Sequence, residues 1–504
     1  MIRALVLAAA AQASAAALHN ARGDKQGIQW GPCDLDTDLP VQCARLPVPL
    51  DYTNHSSNKT LKLDLIKYPA QKKPSKGSIL LNFGGPGQDG LHSMLDYAET
   101  MAPLTGGHHD LISFDPRGTG RTLQFTCFDK NDTKGPAALR EADIILPSSS
   151  DTALGRLWAD SSIVAESCYS QLKDIGGLVG MAFVSRDMMK IVDALGEDGM
   201  LRYWGISGGT ILGATVAAMF PDRMDRVLID GVANSHQYYH SLGESEMFDL
   251  SDNTVDGFLA GCLAAPQNCA LARDGRTVDD LKDILRGLLH QFKYSPKAYN
   301  GTIIDYAHIK GAFLGFLYIP DLYPLLAKAF DSLLSDDLET YLRITALRQV
   351  PMQDQAILGI RCGDKIPKAS SLKELEPTFD LFRDETEWFP DIPWTYHVMT
   401  CAQWKMPARE RYEGDFNVKT KNPLLVIGND FDPVTPWTSA KNMSESFQNA
   451  VALRHKGFGH LSFSHPSNCT DKTIRDFFLE GVLPEPGTVC EPNKPIFSAP
   501  APEM

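Results

Sequence analysis

Between residues 201 and 221 the chain has little choice in how it folds. Leu201-Arg-Tyr-Trp-Gly-Ile206 is a short run of strand-forming residues. It leads without a spacer into Gly205-Ile206-Ser207-Gly208-Gly209, and residues 209–220 then read as a helix that Pro221 stops. A strand that becomes a helix in so few residues needs positions without bulk on both sides of the bend. The unit is strand, sharp turn, helix, and such units stack into a parallel sheet with helices on both faces.

The same alternation surrounds it. Residues 61–68 alternate at period two, as a half-exposed strand does. Residues 78–82 form an apolar run that stops at Gly84-Gly85-Pro86-Gly87, and residues 110–115 form another that stops at Pro116-Arg117-Gly118. Residues 184–195 have helical spacing and end at Gly196, and residues 226–230 read as the next strand. From about 235 to 420 buried-strand runs are few, and stretches such as 278–292 and 309–334 read as helices. The alternation resumes with a strand at 423–427, a helix near 438–447 and a strand at 451–454. The expected fold is α/β: a mostly parallel central sheet flanked by helices, built from residues 30–234 and 421–495, with 235–420 inserted as a largely helical cap.

Chemistry enters through Ser207. The sharp turn lifts its hydroxyl above the sheet edge, and the helix behind it turns free N–H groups and a favourable dipole toward a developing negative charge. A serine hydroxyl is a weak nucleophile until a base takes its proton. In a sheet of this kind the acid and then the histidine follow late strands. The strand at 423–427 leads to Asp430-Phe431-Asp432-Pro433-Val434-Thr435-Pro436, and the strand at 451–454 leads to Gly457-Phe458-Gly459-His460. Asp432 and His460 are the candidates. Asp430 is a rival acid nearer the strand, and His455 and His465 are rival bases. Acyl transfer also needs N–H donors for the oxyanion. Gly208 supplies one, and the loop at 82–87 supplies the other through Gly85, with Gly84 in reserve. Arg117 reads as a residue that pins loops together. The ten cysteines contain no C-x-x-C pair, so neither a zinc site nor a dithiol redox site is expected.

The cysteines point to an oxidising compartment. Taken in order they form five sequential pairs, although sequence alone does not fix connectivity. Arg3, an apolar run from Ala4 to Ala11 and small residues at 13–17 read as a secretory signal peptide over 1–17. That run is shorter than the roughly 20 apolar residues a membrane span requires. Sequons at Asn54, Asn58, Asn131, Asn300, Asn442 and Asn468 fit a glycoprotein. A formal net charge of −14 repels phosphate backbones, which excludes nucleic acid as an expected partner.

Together these motifs resemble the tripeptidyl aminopeptidase-like branch of the α/β-hydrolase serine peptidases, relatives of prolyl aminopeptidases. The resemblance runs from about residue 30 to 491. It includes Cys43-Ala-Arg-Leu-Pro-Val-Pro-Leu-Asp-Tyr52, the G-G-P-G loop, Asp115-Pro-Arg-Gly-Thr-Gly120, residues 203–231, Cys401-Ala-Gln-Trp404 and Leu483-Pro-Glu-Pro-Gly-Thr-Val-Cys490. It implies a helical cap, no cofactor, and release of short peptides or residues from free N-termini, with acidic cap residues holding the substrate ammonium. Glu244 and Glu246 are candidates for that role by position only. Two positions depart from the family pattern. Gly208 stands where many relatives carry tyrosine, and Phe83 where related peptidases often have histidine. Both lie by the substrate, so an esterase or lactonase acting on a small metabolite is the alternative to a secreted exopeptidase.

Overall fold

A computed structural model gives the structure of the chain and describes residues 27–128, 145–273, 275–348, 355–392 and 394–501. The signal-peptide reading over 1–17 and the sequon at Asn131 lie outside the described residues.

The central sheet has nine strands in the order β1-β2-β4-β3-β5-β6-β9-β10-β11. These are β1 (Gln42–Pro49), β2 (Thr60–Tyr68), β3 (Ser78–Asn82), β4 (Asp110–Phe114), β5 (Leu201–Ile206), β6 (Met224–Asp230), β9 (Leu425–Phe431), β10 (Val451–Phe458) and β11 (Val489–Cys490); β7 (Lys297–Tyr299) and β8 (Thr302–Ile304) form a separate hairpin. β2 is antiparallel to β1 and β4, and every other pairing in the sheet is parallel. The strands from β3 to β6 are almost wholly buried because helices cover both sides. One apolar core lies on the face of Leu80, Tyr203 and Val227, a second on the face of Leu81, Trp204 and Leu228. Successive side chains of one strand point to opposite faces, so Tyr203 and Trp204 serve different cores.

Residues 235–420 lie between β6 and β9 and supply most of a third apolar core, around Phe258, Phe313, Phe330 and Phe389. The stretch expected as one helix over 309–334 is two, Tyr306–Leu317 and Tyr323–Leu334, joined by a short 3-10 turn at Pro320–Leu322. Pro320 lacks an N–H and restricts the residue before it, so the helix stops although the apolar spacing carries on. β1 has no counterpart among the strands expected from the sequence pattern. It carries Pro47 and Pro49, which an edge strand tolerates and an interior one does not.

The five sequential cysteine pairs form: Cys33–Cys43, Cys127–Cys168, Cys262–Cys269, Cys362–Cys401 and Cys469–Cys490. Cys362–Cys401 joins two cap helices, Gln355–Asp364 and Trp394–Ala402. Among the described residues no helix is long and apolar enough to cross a membrane.

Candidate active site

Ser207 stands between the end of β5 and the helix Gly208–Met219, with φ 54° and ψ −127°. A non-glycine residue in that region is strained, and such strain persists only where the surroundings hold it. Here the Ser207 N–H donates to the Asp230 carbonyl at 3.1 Å. The flanking glycines are required by contact. A Cβ on Gly205 would lie 2.3 Å from the Gly209 carbonyl oxygen, and one on Gly208 would lie 2.7 Å from both Gly85 C and Pro86 N. The 82–87 loop therefore rests directly on the turn, closer than a tyrosine at 208 would permit.

That loop brings Gly85 and Gly208 to one cavity, which Ser207 also lines. The reserve donor Gly84 is already engaged, since its N–H donates to Asn82 Oδ1 at 3.1 Å. Phe83 turns its ring to the same cavity and stacks on Tyr97, with ring centroids 5.4 Å apart.

Asp432 follows β9 and is fully buried. Its Oδ1 accepts the N–H groups of Val434 (3.0 Å) and Thr435 (2.9 Å), and its Oδ2 accepts the Thr435 hydroxyl (2.8 Å). Oδ2 also lies 2.9 Å from His460 Nδ1. The turn Asp432–Thr435 thus fixes the carboxylate before the imidazole meets it. His460 follows β10 and reaches the cavity, and its N–H donates to the Tyr318 carbonyl of the cap at 2.9 Å. Their rings pack edge to face with centroids 4.9 Å apart. No hydrogen bond joins Ser207 to His460 among the described residues. The two share the cavity, and such contacts commonly tighten only when substrate arrives.

The rivals are engaged elsewhere. Asp430 pairs with Arg454 at 2.6 Å. His455 lies within β10, its Nδ1 2.9 Å from the Thr470 hydroxyl. His465 Nδ1 accepts the Phe458 N–H, and its Nε2 lies 2.7 Å from the Lys494 carbonyl. Arg117 is fully buried, bonded to Asp187 and to the Pro49 and Leu50 carbonyls, and ties three segments together away from the cavity. No group of three or more His, Cys, Asp or Glu side chains among the described residues is placed to hold a metal ion.

A family described as TAP-like protein matches residues 390–490, the stretch that carries Asp432 and His460. A tripeptidyl aminopeptidase of Streptomyces lividans is 25% identical over 506 residues, covering 96% of this chain and 90% of its own. Serine protease Hip1 of Mycobacterium tuberculosis is 24% identical over 508 residues, covering 92% and 91%. Over most of its length the chain resembles the tripeptidyl aminopeptidase-like α/β-hydrolases. It is a serine hydrolase. A Mycobacterium tuberculosis protein named carboxylesterase B is 24% identical over 506 residues, covering 92% and 90%.

In a serine hydrolase of this fold the cavity walls carry the specificity. The cavity measures about 470 Å³ and is partly aromatic, with Phe83, Tyr97, Tyr238 and Tyr318 among its lining residues. Its charged groups among the described residues are Asp96, Glu244, Arg348 and Arg361. Glu244 does face the cavity, but Arg361 and Lys365 both pair with it. Those cations hold its carboxyl low against the upward push of burial, while burial brings Lys365 down to about 8. Glu246 is turned aside, its Oε2 bonded by the amides of Asn234 and Asn442. Sequence reading missed Asp230, Tyr318 and Arg361. For Asp230 a signal existed: a carboxylate ending an apolar strand directly before Gly231.

Proposed function

We propose that the protein is a secreted exopeptidase that releases short peptides or residues from free N-termini through an acyl-enzyme on Ser207. In this reading His460 takes the Ser207 proton as the hydroxyl attacks the carbonyl carbon. Asp432 holds Nδ1 protonated, so that Nε2 is the free base and the imidazolium has a counter-charge. The N–H groups of Gly85 and Gly208 receive the oxyanion. His460 then gives its proton to the departing amine, and a water repeats the cycle on the acyl-enzyme. The observation that carries the reading is the pairing of buried Asp432 with His460 at a cavity that Ser207, Gly85 and Gly208 also line. A volume of about 470 Å³ fits a site for a short peptide, in the roughly 300–1,000 Å³ range of such pockets. Five disulfides favour an exported protein.

A second reading, an esterase or lactonase, is favoured by one feature. Glu244, a cavity carboxylate suited to an ammonium group, is compensated by Arg361 and Lys365. The test is a panel of aminoacyl and tripeptidyl fluorogenic amides, each free and N-acetylated, beside short-chain esters. Turnover of free amides, lost on acetylation, is expected. Hydrolysis of esters with no amide cleaved overturns the peptidase reading in favour of the second.

A further inference from the structure

Asp230 ends β6 and none of its surface is exposed. A buried carboxylate is costly unless its oxygens are bonded. Both are bonded by one residue: Oδ1 accepts the Ser462 N–H at 3.0 Å and Oδ2 accepts the Ser462 hydroxyl at 2.6 Å. Ser462 is two residues past His460. At the same time the Asp230 carbonyl receives the Ser207 N–H at 3.1 Å. Asp230 therefore touches both the turn that carries the hydroxyl and the loop that carries the imidazole. The next residue continues the contact. Gly231 has φ 65°, and a Cβ there would lie 2.7 Å from Leu461 Cδ2 and 3.5 Å from His460 Cε1.

We infer that Asp230 is a positioning residue: it clamps the His460 loop to the Ser207 turn and sets a second negative charge beside the imidazole. This rests on the reading of Ser207, Asp432 and His460 as the reacting groups. When His460 takes the serine proton, the imidazolium gains a counter-charge from Asp230 as well as from Asp432. The charged groups that act on Asp230 are His460, which favours its ionisation, and Asp432, which opposes it. Burial dominates and pushes its carboxyl up to about 6, while the Ser462 bonds pull it down. The carboxyl is thus ionised at neutral pH and neutral in mild acid.

A purely structural tie makes the opposite forecast from a positioning charge. Because the folded carboxyl sits above its unfolded value, the folded state holds the proton more tightly, and stability falls as pH rises from about 4 through 6. Removing the charge should therefore not destabilise the protein at pH 8. Asp230→Asn keeps an acceptor for the Ser462 N–H and a donor for its hydroxyl. The experiment measures the second-order rate of labelling by a fluorophosphonate, and the Tm, from pH 5 to pH 9 for the wild type, Asp230→Asn, Ser462→Ala and Ser207→Ala. Asp230→Asn should label about tenfold more slowly at pH 8, with a Tm no lower than wild type, and its acid limb should lose the ionisation near 6. Ser462→Ala should label a few-fold more slowly. If Ser207→Ala is silent while Asp230→Asn labels at the wild-type rate throughout, the role of Asp230 is overturned and the catalytic reading stands. A lower Tm with an unchanged labelling rate also overturns it, in favour of a structural tie. Labelling of Ser207→Ala overturns the catalytic reading itself, and the inference with it.

Discussion

Asp432→Asn is the sharpest probe of the site, because the hydrogen bonds decide what the amide must do. The carboxylate accepts at both oxygens: the Val434 and Thr435 N–H groups at Oδ1, and the Thr435 hydroxyl, the Leu461 N–H (3.3 Å) and His460 Nδ1 at Oδ2. Asparagine offers one acceptor and one NH₂. Placing the NH₂ at the Oδ1 position strands two buried backbone N–H groups at about 1–3 kcal/mol each. Placing it at Oδ2 strands the longer Leu461 contact and makes the Thr435 hydroxyl turn from donor to acceptor, so this orientation wins. The NH₂ then faces Nδ1 at the shorter of its two contacts, 2.9 Å against 3.2 Å to the Oδ1 position, and Nδ1 gives up its proton to accept. The proton moves to Nε2, and the ring can no longer take one from Ser207. A wrong tautomer of this kind costs kcat about 10⁴-fold, or roughly 5 kcal/mol of barrier. Folding stability should fall by only about 1–3 kcal/mol, and KM should stay within a few-fold. Steady-state hydrolysis of an activated ester, with calorimetry on the same preparation, reads all three quantities. Asp430→Asn is the control: its carboxylate pairs with Arg454 and should leave the rate unchanged. If Asp432→Asn keeps its rate within tenfold of wild type, tautomer control by this residue is refuted. If the control collapses instead, the two acids have been transposed.

Gly208→Ala must push the 82–87 loop back, since its Cβ would sit 2.7 Å from Gly85 C and needs about 3.5 Å, and losing the Gly85 donor should lower kcat about 100-fold. A wild-type kcat would mean that the loop yields without carrying the donor away. Burial brings His455 down to about 4, below its unfolded value, so the unfolded state binds more protons and stability drains away as pH falls below about 6.5. Unfolding free energies from urea titration should converge toward those of His455→Gln by about 3 kcal/mol between pH 6.5 and 4, and parallel curves would contradict this. In protein secreted from a eukaryotic host, glycopeptide mapping should find sugar at the exposed Asn54, Asn58 and Asn300 and none at Asn442, whose amide is half-buried and donates to Glu246. A glycan at Asn442 would mean that this contact opens before folding ends.

The legible parts of the molecule were those written in consecutive residues. The β5 run, the glycines at 205, 208 and 209 and the helix after them each demand the same turn, so local pattern and tertiary contact agree. β3 likewise ends where its apolar run ends. Hydrophobic spacing misled at 309–334, because apolar residues keep their rhythm across Pro320 while the backbone does not. β1 hid behind its prolines. Asp432 and His460 could be singled out because each follows a late strand, whereas their rivals differ only in partners that the fold supplies: Arg454 for Asp430, Thr470 for His455. Glu244 shows the limit. It was visible as an acid in the cap, but its charge is cancelled by Arg361, 117 residues further along the chain. No local pattern carries that information.

The interruption at Pro320 leaves one more mark on the molecule. By ending a helix at Leu317 it frees the Tyr318 carbonyl, and that oxygen holds the backbone amide of His460. His460 hangs from the roof of its chamber as well as standing on the floor. Any hinge movement wide enough to admit a bulky chain would tug at this suspension and swing the ring out of line. Entry and readiness would then exclude each other, and a folded polypeptide could pry the doorway open only by disarming what lies behind it.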